Sequence, residues 1–218
     1  MKKLSRFWNT TEGKFIGWVA LIVVLLFAYY FYATSTKTET PPVNIAISET
    51  DHVRGALDGK VTLVEFGDFQ CPACGAYEPL VRQVEKDNAK TLKVVFRNFP
   101  LIQIHKNALI AAKAAEAAGL QGKFWEMHDI LYDKQLEWSE GINARDFILV
   151  YATTIGLDTK KFTADLNNQA LEDKILAEYK EGVNLGVQGT PTFFVNGKKI
   201  KSPQSPEEFN KIIADAAK

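Results

Sequence analysis

Cys71 and Cys74 are the only two cysteines in a chain of 218 residues, and two residues separate them. A pair at this spacing serves either as half of a metal site or as a redox couple. The metal reading needs further ligands, and the histidines His52, His105 and His128 stand at no ligand spacing to one another. No metal is therefore expected. The redox reading needs only that the pair open a helix. Pro72 follows Cys71 and suits the first helical position, where a missing N–H costs nothing. The free N–H groups and positive dipole of a helix start favour a thiolate at Cys71. A fall in its pKa from about 8.5 to about 5 would be worth roughly 5 kcal/mol. Cys74 lies one turn on and on the same face, placed to close or open a disulfide.

The elements that must hold this pair can be read around it. Val61-Thr62-Leu63-Val64-Glu65-Phe66 is an apolar, β-branched run and predicts a buried strand. Gly67 to Gln70 turn the chain, with Asp68 expected as a turn residue, and Pro72 opens a helix running to about Glu85. A second strand follows over Thr91–Phe99, so the order is βαβ, with parallel pairing. Helices are expected over Asn107–Ala118, Lys123–Tyr132 and Ala144–Ile155, with two more through Tyr179. Thr190–Val195 reads as a strand, Asn196-Gly197 as a two-residue turn, Lys198–Ile200 as its partner, and Glu207–Ala217 as a closing helix. Pro191 removes a donor from a strand start; in general only about 5–6% of X–Pro bonds are cis.

Two stretches, Glu65-Phe66-Gly67-Asp68-Phe69-Gln70-Cys71-Pro72-Ala73-Cys74 and Gly189-Thr190-Pro191-Thr192-Phe193-Phe194-Val195-Asn196-Gly197, resemble the DsbA-type branch of the thioredoxin superfamily. The resemblance covers about residues 50–218. It implies an α/β thioredoxin fold with a helical insertion at about 104–186, and a domain spanning 45–218. It also implies that Pro191 is cis and packs against the active-site disulfide, and that the Thr190 backbone pairs with substrate. Pro72 and Ala73 belong to the same substrate-facing surface. Glu65, the one charge in its strand, would ordinarily face solvent at an edge. The family places an acid there beneath the disulfide, where it can take the Cys74 proton. Pro72-Ala73 lacks the histidine of the strongly oxidising archetype, which implies a milder oxidant. Thr190 stands where that archetype has valine, and its hydroxyl suits a thiolate partner. Trp125, Trp138 and Phe193-Phe194 are expected in the core or lining a groove, and His105 and His128 at the surface or at caps.

From Phe15 to Ala33 no residue is charged and none is proline, and Lys2, Lys3, Arg6 and Lys14 precede the run. This predicts a single transmembrane anchor over 15–33, a cytoplasmic stretch 1–14, a tether 34–44 and an extracytoplasmic domain at the cell membrane. A cleaved signal peptide is the alternative. The charges balance at 26 Lys+Arg against 26 Asp+Glu, which argues against nucleic acid as a partner. With 46% hydrophobic residues the chain can bury a core, and two cysteines are too few for a disulfide scaffold.

The expected activity is thiol–disulfide exchange, in the oxidase direction, on exported proteins with free cysteines. No cofactor is expected beyond the Cys71–Cys74 disulfide. A membrane quinone-linked thiol oxidase, DsbB- or VKOR-like, is the expected recharging partner, and a monomer the expected state. The rivals are a reductase or isomerase using the same site, a tethered binding or chaperone module, and a metal-binding CxxC.

Overall fold

A computed structural model of the chain describes residues 11–35 and 43–218. The chain divides into two compact units, residues 1–40 and 41–218. In the first, the apolar run forms helix α1 (Thr11–Ser35), whose described side chains are largely exposed. Among the described residues no helix is long and apolar enough to cross a membrane. The expected anchor over 15–33 is corrected on that finding. With it go the single-pass topology, the membrane as partner and location, and the membrane thiol oxidase that the anchor was to hold nearby. Residues 1–10 of the expected cytoplasmic stretch and 36–42 of the expected tether lie outside the described residues.

The second unit runs β1 (His52–Gly55), β2 (Val61–Gly67), α2 (Pro72–Asp87), β3 (Leu92–Asn98), then five helices. These are α3 (Ala108–Gly119), α4 (Phe124–Asp133), α5 (Gln135–Trp138), α6 (Ala144–Thr154) and α7 (Thr159–Asp165). The chain continues through α8 (Gln169–Asn184), β4 (Thr192–Val195), β5 (Lys198–Lys199) and α9 (Pro206–Ala216). The five strands form one sheet in the order β1-β3-β2-β4-β5. The β2–β3 pair is parallel, as the βαβ reading requires, and the other pairs are antiparallel. Asn196 (φ 46°) and Gly197 (φ 77°) make the expected two-residue turn, both in the left-handed region that this turn demands. β1 is a finding beyond the sequence reading, because four residues, His52-Val53-Arg54-Gly55, offer too little alternation to declare a strand.

Both faces of the central strands are covered. Val61 and Leu63 pack with Val81 and Val84 of α2 and with Phe209 and Ile213 of α9. Val64 and Phe66 pack on the opposite face with Val95, Phe99, Val187 and Phe194. The period of two along β2 therefore places Glu65 on the α2 face, beneath the helix that carries Cys74. The helical insertion has its own core, where Ala111, Ala112, Ala114, Ala115, Ala117 and Ala118 let α3 approach its neighbours closely. Trp138, fully buried, anchors that core and donates Nε1–H to the Leu131 carbonyl at 2.8 Å. Phe69, Cys71 and Cys74 belong to this same cluster, so the insertion packs directly on the cysteine pair.

Candidate active site

The turn after β2 delivers Cys71 to the start of α2. Its N–H is bonded to the Asp68 carbonyl at 3.0 Å, its backbone is extended (φ −66°, ψ 121°), and Pro72 takes the first helical turn. Asp68 is the turn residue expected, its Oδ1 accepting from Gln70 N at 2.8 Å. It does more than that: Oδ2 accepts from Leu101 N at 3.0 Å and pairs with His105 Nδ1 at 2.6 Å, tying the turn to the segment after β3. Gln135 secures the other side, donating from Nε2 to the Phe69 carbonyl (2.8 Å) and the Cys71 carbonyl (2.9 Å). Gly75 makes room for it, since a Cβ there would lie 2.5 Å from the Gln135 Oε1.

The two sulfurs, both free thiols, sit in unlike surroundings. Cys71 is 8% exposed and Cys74 fully buried. Register Phe66↔Thr192 brings the start of β4 beside the end of β2, and so sets Thr190 and Pro191 against Cys71. The Thr190–Pro191 bond is cis, and the Cys71 thiol donates to the Thr190 carbonyl at 3.4 Å. The Thr190 hydroxyl is itself buried without a partner among the described residues, a donor free to serve a thiolate. A hydrogen bond from Cys74, then the Thr190 side chain and the backbone of Cys74 and Ala73, outweigh burial and lower the Cys71 pKa to about 5. Cys74 moves the opposite way: burial, its bond to Cys71 and the nearby Glu65 push it well above its usual value.

Glu65, 3% exposed, stands between Phe96 of β3 and Phe193 of β4. Burial, with the Glu78 carboxylate adding and Arg54 opposing, raises its carboxyl well above the ordinary range. Glu78 is four residues beyond Cys74 on the same helical face, a spacing legible in the sequence but passed over there. It is buried and bridged by Arg82 Nε at 2.7 Å, with Arg54 at 3.6 Å. Glu78, His128 and Asp129 bring donor atoms within 4.8 Å of one another. Arg54 and Arg82 already neutralise these carboxylates, which makes the cluster a poor host for a cation. His128 is no surface histidine: it is 1% exposed, its ring packed edge-on to Phe96 and Trp125. His105 keeps to the partly exposed position expected, but as the partner of Asp68 rather than as a cap.

Pro72 and Ala73 are exposed on the rim beside Cys71. Two clefts open along α2, both reaching Ala76. One, of about 450 Å³, lies between Tyr77 and Leu80 of α2 and Pro203, Gln204 and Pro206, with Gln204 bonded to the Tyr77 hydroxyl at 2.7 Å. The other, of about 460 Å³, runs from Pro72 and Gly75 to Tyr132 and the almost fully exposed Leu136.

The thioredoxin family model matches residues 47–215. Among curated relatives, the sodium/proton antiporter NhaA 1 of Salinispora arenicola is 42% identical over 169 residues, covering 77% of this chain and 25% of that protein. NhaA 3 of Salinispora tropica is 39% identical over 168 residues, with the same coverage of 77% and 25%. The chain thus spans about a quarter of the length of these relatives. Among solved structures, a thioredoxin-like oxidoreductase from Silicibacter pomeroyi superposes with a TM-score of 0.67 at 27% identity, covering 78% of this chain and 93% of the other. BdbD of Bacillus subtilis, oxidised, superposes with 0.69 at 24% identity, covering 82% and 97%. The thiol–disulfide exchange protein alpha-DsbA2 of Wolbachia pipientis gives 0.67 at 23%, covering 77% and 88%. These last two likenesses speak for the fold: a DsbA-like thioredoxin fold carrying a helical insertion.

Proposed function

Because this chain belongs to the thioredoxin family, we propose that it is a thiol–disulfide oxidoreductase working as an oxidase on protein cysteine pairs. A substrate thiolate attacks Cys71 of the Cys71–Cys74 disulfide. A substrate–Cys71 bond forms, the Cys71–Cys74 bond breaks, and Cys74 leaves with the electron pair, taking a proton from Glu65. The second substrate thiolate then attacks the substrate sulfur of the mixed disulfide. Substrate departs with a disulfide, two electrons stay on the enzyme, and Cys71 leaves as a thiolate. A further two-electron acceptor of disulfide type must restore the Cys71–Cys74 bond. Thr190 and Pro191 present backbone to an extended substrate, and Pro72 and Ala73 form the rim it crosses.

The opposite treatment of the two sulfurs carries this reading. A Cys71 thiolate held at about 5 stabilises the reduced form and is a good leaving group. Its folded pKa lies below the unfolded value of 9.0, so that stabilisation is complete above about pH 9 and is lost progressively as pH falls to about 5. Measured against glutathione, the disulfide becomes a stronger oxidant as pH rises from about 5 towards 9. The test is the redox equilibrium of the pair in glutathione buffers at pH 7. A potential nearer about −120 mV than about −270 mV is expected, and one near the lower value sinks the oxidase direction. Cys71→Ser removes exchange altogether; substrate oxidation surviving it would sink the reading as a whole.

A further inference from the structure

The turn before α2 and the helical insertion are tied together from both sides. From the turn, Gln70 sends its amide outward: Nε2 donates to the Ser139 carbonyl at 2.7 Å, and Oε1 accepts from Asn107 N at 2.6 Å. From the insertion, the buried Gln135 at the start of α5 sends its amide inward. Both N–H groups of that one nitrogen are used, on the carbonyls of Phe69 (2.8 Å) and Cys71 (2.9 Å). These carbonyls flank Gln70, so a single amide spans the last three residues before α2. They also fix which way the amide faces, since an oxygen turned towards them would meet only acceptors.

What Gln135 holds is the backbone of the nucleophile. The Cys71 N–H is bonded to the Asp68 carbonyl at 3.0 Å. Its carbonyl accepts from Gly75 N at 3.2 Å, the long end of the usual range, and the Gln135 amide adds a second, shorter bond. With nitrogen and carbonyl both tied, φ −66° and ψ 121° are set, and the direction of Cα–Cβ with them. The sulfur keeps only the rotation about Cα–Cβ, and it stands 3.4 Å from the Thr190 carbonyl. A drift in ψ would turn the sulfur relative to the N–H groups of the first turn of α2, where a thiolate is held. Gly75 makes the arrangement possible. A Cβ there would lie 2.5 Å from the Gln135 Oε1 and 3.1 Å from its Nε2, so any larger residue displaces the amide.

We propose that Gln135 is a positioning residue for thiol exchange, its amide holding the Cys71 backbone so that the sulfur stays on the N-terminal end of α2 through every change of bonding partner. No bond is made or broken at Gln135 itself. During exchange the Cys71 sulfur is joined to Cys74, joined to a substrate sulfur, or free, and all three states share one fixed backbone. The helical insertion thereby sets how well the sulfur serves as thiolate and leaving group.

The inference rests on the exchange reading, and two readouts separate them. The reduced full chain is titrated by the ultraviolet absorbance of its thiolate, and its equilibrium with glutathione is measured at pH 7. The proteins compared are the wild type, Gln135→Met, Gly75→Ala and Trp138→Phe. Methionine keeps the length of the side chain and loses both donors. Alanine at 75 keeps the amide but pushes it off the carbonyls, and it suits a helix better than glycine, which guards against a variant that fails to fold. In both, the Cys71 midpoint should rise from about 5 by roughly one pH unit. The disulfide should become a roughly ten-fold weaker oxidant of glutathione, about 30 mV. Trp138→Phe removes a buried bond from the same short helix, to the Leu131 carbonyl, and should leave both readouts in place. Either Gln135→Met or Gly75→Ala, folded and with both readouts within roughly two-fold of wild type, overturns the proposal. So does an equal shift in Trp138→Phe, which would make the effect one of packing at large. A wild type that closes no Cys71–Cys74 disulfide with glutathione sinks the exchange reading instead, and the thiolate titration then decides the positioning role by itself.

Discussion

Two pairs of buried carboxylates lie in one domain, and they keep different company. Glu116 and Glu178 sit behind the end of β3, bracketed by hydrogen-bond donors. Lys174 reaches both, His52 Nε2 meets Glu116 at 2.9 Å, and Asn98 Nδ2 gives 2.8 Å bonds to each. Burial would push Glu116 up, but His52 and Lys174 hold it below the usual carboxylate range, whereas at Glu178 burial prevails over Lys174 and the carboxyl is raised. This is a charge-matched clamp that fixes α3 and α8 to β3. Glu65 and Glu78 lie under the cysteines, and here the cations gather on Glu78, through Arg82 and Arg54. Glu65 is left with its pKa well up, facing a thiol that is also well up. Burial alone therefore does not make proton chemistry. A buried carboxylate whose donors are spent elsewhere does, because it holds a proton tightly enough to trade it with a neighbouring thiol.

The largest effect should come from breaking the matched pair. Lys174→Met strands two buried carboxylates and should lower stability by about 3–5 kcal/mol in urea unfolding, while the Cys71 thiolate titration stays near 5. A loss under about 1 kcal/mol would mean the clamp is held by packing and not by charge. Next comes Glu65→Gln. The folded pKa of Glu65 lies above its unfolded value, so the folded state binds the proton more tightly, and stability falls as pH rises beyond about 4.5. Glutamine removes that fall and should make the protein more stable at pH 7 to 8. The escape of a mixed disulfide should at the same time slow by roughly ten-fold or more. Stability and rate moving down together would erase the contrast between the two pairs. The smallest effect is expected at His105→Ala, which removes one partner of buried Asp68 and leaves Leu101 N in place. A loss of about 1 kcal/mol, read as a modest drop in melting temperature, is the expected outcome.

Much of the site was legible because it depends on local spacing. Cys71, Pro72 and Cys74 need only the geometry of a helix start, and Asn196-Gly197 only that of a turn. What stayed hidden depends on contacts between distant segments. Gln135 holds the Cys71 carbonyl from 64 positions away, and Asp68 meets His105 across 37. His128 looked like a surface residue because a helix of mixed polarity does not declare which of its faces the insertion will bury. The run over 15–33 teaches the converse, since an unbroken apolar segment invites a membrane span, and the finding among the described residues is against it.

By itself, then, the sequence determined the chemistry available, a lone CxxC opening a helix after a buried strand, and the βαβ order that carries it. These follow from covalent spacing and backbone periodicity, which act within a few residues. The helix start already pointed to Cys71 as the acidic sulfur; the tertiary structure decided how that acidity is held, by the approach of Thr190 from β4 to Cys71 and by what covers Cys74. It also decided that Glu65 is buried beneath α2 rather than placed at an edge. A pKa is a property of surroundings, and those surroundings are assembled from segments up to 119 positions apart.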